Sequence, residues 1–175
     1  MKRYFTSLST QEALRIAIFV EERNARIYRQ FAELFGAFPD ADSREIAEVF
    51  AEMAAEEVNH GDQLERRYIR RFGKSPCAIT ADEVPDTVEL PQLPDGNIFA
   101  IVRSGVSPAP RAEGLAVALA AEEGAMRFYQ HLAELADEPE FGRFYAELAD
   151  FEGEHVEELR RQMKLAQEAA LRESA

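Results

Sequence analysis

The feature that most constrains this chain is a repeated motif. Glu57-Val58-Asn59-His60 returns, nearly a hundred residues later, as Glu152-Gly153-Glu154-His155. Both copies lie in runs with helical periodicity. Residues three apart project from one side of a helix, so each Glu and His can grip the same metal ion. Two such helices, with one inward Glu from each of two further helices, form a carboxylate-bridged dinuclear site inside a four-helix bundle. The rest of the chain must therefore supply two more helices and two more inward carboxylates.

The helices are readable. Ser9-Thr10-Gln11-Glu12 is a capping box, and apolar periodicity runs from it through Phe35 until Gly36 and Pro39. A second start lies at Asp42-Ser43-Arg44-Glu45. From there Ile46, Val49, Phe50, Met53, Val58, Leu64 and Tyr68 keep a helical rhythm to Phe72, with Gly73 as a C-cap. Residues 73–107 read as an ordered crossover. Six of the eight prolines fall between Lys74 and Pro110, and residues 97–102 are expected to make a short helix. A third helix is expected over 108–136, capped by Ser107 with a proline in its first turn. The fourth is expected over 138–167, with a frayed tail beyond. Each half is only two helices, too thin to bury a core alone, so the expectation is one all-α domain over 1–175: two helical hairpins forming a four-helix bundle.

The halves repeat one another. Tyr28, Phe31, Ala32, Glu33 and Leu34 of helix 1 match Tyr129, Leu132, Ala133, Glu134 and Leu135 of helix 3. Ala51-Glu52-Met53-Ala54 ahead of Glu57, His60 and Leu64 matches Ala146-Glu147-Leu148-Ala149 ahead of Glu152, His155 and Leu159. A duplicated hairpin has a pseudo-twofold axis, and a site on that axis receives matching ligands from each half. The repeat also picks out the other carboxylates. Glu21 stands seven residues before Tyr28, and Glu122 seven before Tyr129; that step is about two helical turns, so each Glu shares a stripe with its Tyr. Glu22 and Glu123 also correspond, but they point about 100° away. The candidate ligands are thus Glu21, Glu57, His60, Glu122, Glu152 and His155. Tyr28 and Tyr129 are either core rings or hydrogen-bond donors that orient a ligand carboxylate. On outer faces these Glu would simply be solvated, but that leaves the repeat without a cause. His131 lies about half a turn of the circle from Glu122 and is expected on the surface. Met126, Phe128, Phe144 and Phe151 are expected to pack, and Cys77 to be a loop thiol.

Composition narrows the partners. The formal charge is −13, from 20 basic and 33 acidic residues, which argues against nucleic acid or an anionic membrane. No apolar run is long enough to span a bilayer, and the start lacks the features of a signal peptide, so a cytoplasmic protein is expected. The single cysteine excludes an internal disulfide and a four-thiolate metal site. Carboxylate and imidazole donors suit iron or manganese, although zinc can occupy such sites.

Through Glu21-x6-Tyr28, Glu57-x-x-His60, Glu122-x6-Tyr129 and Glu152-x-x-His155, the chain resembles the ferritin-like superfamily, and within it rubrerythrin and its di-iron relatives. The match covers both hairpins. The resemblance implies two iron ions bridged by Glu57 and Glu152. Glu21 and Glu122 would be terminal ligands, and His60 and His155 would each hold one iron. It implies oxidation of ferrous iron or reduction of O2 or H2O2, a role in oxidative stress, an external electron donor of rubredoxin type, and a homodimer. Two departures stand out. The rubredoxin-like four-cysteine domain is missing. The third helix of rubrerythrin carries an extra Glu one turn after its terminal ligand, where this chain has Ala125, so the resemblance does not by itself carry the peroxide-reducing chemistry tied to that Glu. An oxygenase acting on an organic substrate and a non-catalytic, metal-stapled helical module are the alternatives.

Overall fold

The computed structural model describes residues 8–80, 83–84 and 110–173, the side chains of the last stretch over 111–168. Four long helices make up nearly all of it, and there is no strand among the described residues: α1 (Thr10–Gly36), α2 (Ala41–Phe72), α3 (Pro110–Leu135) and α4 (Pro139–Glu173). The arrangement is the ferritin-like four-helix bundle expected from the sequence.

Local signals account for most of the ends. Ser9 caps α1 and forms the reciprocal capping box with Glu12. Gly73 ends α2 in the left-handed region at φ 68°, where a Cβ would be strained, and its N–H closes on the Ile69 carbonyl at 2.8 Å. Two boundaries differ from expectation. The cap of α2 is Asp40, not Asp42: its carboxylate accepts from the Ser43 N–H at 2.8 Å, which starts the helix at Ala41. The last helix does not stop at 167 but continues to Glu173, through a stretch rich in alanine and leucine that favours helix over fraying. The expected cap at Ser107, the helix over 97–102 and most of the crossover lie outside the described residues.

α1 packs chiefly against α2 and α3 chiefly against α4, as two antiparallel hairpins. Arg111 at the start of α3 pairs with Asp40 and Asp42 at the start of α2. The two middle helices therefore run the same way, and a long connection rather than a tight turn must join them. The opening of that connection lies on the bundle: the Cys77 carbonyl accepts from Arg15 Nε at 3.1 Å, and Val84 is buried in the core.

The core comes in two apolar bodies. One gathers Leu14, Ile16, Leu64, Tyr68, Phe128, Phe144 and Leu148. The other gathers Phe31, Phe35, Phe50, Met53, Leu115 and Leu159. In each helix the candidate metal ligands fall between the residues of these two bodies, so a polar layer is sealed above and below by hydrocarbon. The second body needs a glycine. A Cβ on Gly114 would sit 2.7 Å from the Phe35 ring, which is fully buried and stacked on Phe31 and Phe50.

Candidate metal centre

All four helices contribute to the polar layer. Glu21 comes from α1, Glu57 and His60 from α2, Glu122 from α3, and Glu152 and His155 from α4. The four carboxylates are fully buried, and the imidazoles are 4% and 7% exposed. They form two clusters. Glu21, Glu57, His60 and Glu152 bring one donor atom each to within 4.8 Å of one another, and so do Glu57, Glu122, Glu152 and His155. Glu57 and Glu152 belong to both.

His60 Nδ1 lies 3.7 Å from Glu21 Oε2. His155 Nδ1 lies 3.4 Å from Glu57, 3.6 Å from Glu122 and 3.7 Å from Glu152. These distances are too long for hydrogen bonds. Both oxygens of Glu57 and of Glu152, Oε2 of Glu21 and of Glu122, and Nδ1 of both histidines are buried without a hydrogen-bond partner among the described residues. Burying an unpaired carboxylate costs several kcal/mol, so four around one point call for bound cations or for protons. The donor set fits a metal centre: eight inward atoms are left open, all of them hard or borderline ligands.

The tyrosines explain why only one oxygen is open on each outer carboxylate. The Tyr28 hydroxyl donates to Glu122 Oε1, and the Tyr129 hydroxyl donates to Glu21 Oε1. Each phenol thus reaches across to the carboxylate of the other hairpin. Spacing put each Tyr on the stripe of its own Glu but could not say which carboxylate it would touch. Burial, followed by the charge of the carboxylate it meets, pushes each phenol well above its ordinary value, so both remain donors.

Electrostatics inside the layer are unequal. Burial, and then the charges of neighbouring carboxylates, raise Glu57 and Glu152 well above the usual carboxylate range. Burial would raise Glu122 as well, but its polar neighbours Glu152 and His155 and the donated Tyr28 hydroxyl outweigh it and the net direction is down. Burial disfavours the His155 cation; the nearby Glu122 carboxylate, followed by the hydrogen bond and charge of Glu56, reverses this and lifts it to about 9.

Two residues escaped the sequence reading. Glu56 Oε2 lies 2.7 Å from His155 Nε2, although 59% of the Glu56 side chain is exposed. With Nε2–H donating to Glu56, Nδ1 is left facing the carboxylates, the usual arrangement for a metal-binding imidazole. The only hint in the sequence was its place beside Glu57. Asn24 is fully buried, one turn from Glu21 and one turn from Tyr28. An amide on an inward stripe was the available signal. Phe151 differs from expectation: it is 46% exposed and lies against the His60 ring, with centroids 5.2 Å apart, instead of packing in the core. His131 is exposed, Glu22 is exposed, and Glu123 pairs with Arg160 at 2.7 Å, so none of them enters the layer. Cys77 is free and exposed.

Residues 12–93 match the family model for rubrerythrin. That segment holds Glu21, Tyr28, Glu57 and His60. A solved structure, a hypothetical protein from Pyrococcus furiosus, is similar over 94% of this chain and 94% of its own, with a TM-score of 0.67 at 24% identity. No curated protein matches the chain significantly. No described helix is long and apolar enough to cross a membrane.

Proposed function

We propose, from the match of residues 12–93 to the rubrerythrin family model and from the geometry of the polar layer, that this layer holds two iron ions and that the loaded protein is an oxidoreductase, oxidising ferrous iron while reducing O2 or H2O2. The observation that carries this reading is the sharing of Glu57 and Glu152 between two four-residue clusters. Glu57 and Glu152 would bridge. Glu21 and His60 would complete one position, Glu122 and His155 the other. Two divalent ions bring four positive charges to four buried carboxylates, which offsets the burial cost that otherwise has no counterpart. When bound, a ferrous pair supplies two electrons together to an oxidant.

The protein's own groups position and seal. Tyr28 and Tyr129 keep their protons and hold Glu122 and Glu21 by one oxygen each, leaving the other to face inward. Glu56 fixes the His155 ring. The apolar bodies on either side keep bulk water out. The side of the bundle offers the candidate route of access. A groove along α1 and α2, lined by Ile18, Ala25, Arg26, Val58 and Asp62 among others, reaches Glu57. Its charged lining suits ions and small polar oxidants better than an apolar substrate, which favours this reading over an organic oxygenase. With one exposed cysteine in the chain, electrons to restore the ferrous state would come from an external carrier, such as a rubredoxin-like protein. The working unit is proposed to be a homodimer, which light scattering of the eluting protein tests.

Anaerobic titration with ferrous iron, followed by mixing with O2 or H2O2, tests the central claim. Two ions per chain and rapid growth of ferric absorbance are expected, both abolished in Glu57→Ala. Full loading in that variant overturns the assignment. Loading without oxidation reduces the centre to a staple. Zinc in aerobically purified protein decides nothing, because zinc binds such donors more tightly than ferrous iron.

A further inference from the structure

We propose that Asn24 forms a binding site for a small anionic or peroxidic ligand at the centre, with its amide supplying the hydrogen bonds; this rests on the metal reading above.

The amide has no role inside the fold. Asn24 is fully buried, and neither Nδ2 nor Oδ1 has a hydrogen-bond partner among the described residues. An unpaired buried amide is destabilising, and asparagine is a weak helix former. Both costs fall in the middle of a 27-residue helix where an apolar residue would serve packing better. The counterpart across the pseudo-twofold shows this: Ala125 is also buried and sits in the apolar core. The two hairpins match at every candidate ligand yet differ here.

Position says what the amide faces. Asn24 lies three residues after Glu21 and four before Tyr28, on the stripe they share. Glu21 carries an open oxygen in one cluster, and Tyr28 ends on Glu122 in the other. Asn24 therefore sits between residues that terminate in the two halves of the layer. Its unsatisfied atoms belong with the open carboxylate and imidazole atoms there. Those atoms can take cations; an amide N–H cannot. What it can take is an acceptor: hydroxide, azide or a peroxide oxygen, with Oδ1 free to receive a proton-bearing partner. Because Ala125 offers only a methyl group, such a ligand would be held from the α1 side alone.

Azide is the probe. The diferric protein is titrated with azide and followed by its charge-transfer absorbance, for wild type, Asn24→Leu and Asn24→Ala. Each variant should keep two irons per chain and bind azide about tenfold or more weakly, the loss of one hydrogen bond to an anion. Asn24→Leu should also melt no lower than wild type in the metal-free state, since it removes an unpaired polar group without leaving a cavity. Two irons with unchanged azide affinity in both variants overturns the inference and leaves the centre intact. Fewer than two irons in the wild type overturns the reading of the centre, and this inference with it.

Discussion

Glu56 and His155 meet at 2.7 Å across the gap between α2 and α4, and the repeat breaks at this contact. The residue that corresponds to Glu56 in the second hairpin is Phe151, and it lies against His60 as a ring, not a carboxylate. One imidazole is thus held and made more basic by an anion, while the other rests on hydrocarbon. A hydrogen-bonded carboxylate typically contributes 10–100-fold to metal affinity through its histidine, so Glu56→Gln should weaken one of the two metal-binding steps by about that factor and leave the other nearly unchanged. Calorimetric titration with Mn2+ or Fe2+ separates the steps. Equal weakening of both would refute the asymmetry.

The crossed phenols make a second prediction. Tyr28→Phe frees Glu122, and Tyr129→Phe frees Glu21, with little change in shape. Each should lower stability by about 1–3 kcal/mol and loosen metal binding, because a buried hydrogen bond to a charged acceptor is lost. The loosening should appear at the position ligated by the opposite hairpin. Thermal melts and metal titrations read both effects; a Tyr129→Phe protein that loads and melts like wild type would remove the phenols from the account.

Metal-free protein should grow more stable as pH falls from about 9 toward 5.5. His155 is raised from 6.5 to about 9, so its contribution is full below 6.5 and disappears as pH climbs through 9. Glu57 and Glu152 are raised from 4.5, so theirs also declines upward from that value. Glu122 is lowered, and its contribution is lost only on falling below 4.5, where the trend should turn over. The loaded protein should behave oppositely over the same range, because protons compete with metal for the same atoms. Melting temperatures of the two forms across that range check this, and an apoprotein that stabilises with rising pH contradicts it.

Gly114→Ala sets two effects against each other. Alanine is worth about 1 kcal/mol over glycine in a helix interior, but the new methyl group meets the immobilised Phe35 ring, and overpacking costs about 1–3 kcal/mol. A net loss of roughly 1 kcal/mol is expected from chemical denaturation. A stabilised variant would show that the Phe35 stack gives way more readily than its burial suggests.

The sequence was informative where structure is local. Helical spacing and the repeat together indicate Glu57 with His60, Glu152 with His155, and the Tyr28 and Tyr129 register, because a three- or seven-residue step on a helix has one geometric meaning. Contacts between hairpins carry no such signature. Glu56 is one of 33 acidic residues, and its stripe points away from that of Glu57; only the approach of α4 gives it a partner. The residue type of Phe151 suggests core, whereas its neighbour Glu152 takes the inward position and turns it outward. Asp40 and Asp42 offer the same capping chemistry two residues apart, and only the carboxylate contact with the Ser43 N–H separates them.

The exchange of phenols between the two arms has a genealogical consequence. It is self-complementary: a lone ancestral hairpin meeting its own copy about a twofold axis would already place every hydroxyl on a carboxylate. Fusion of two such copies needs only a tether, after which each arm is free to drift. Asn24 beside Ala125, and Glu56 beside Phe151, mark where the twins have since diverged.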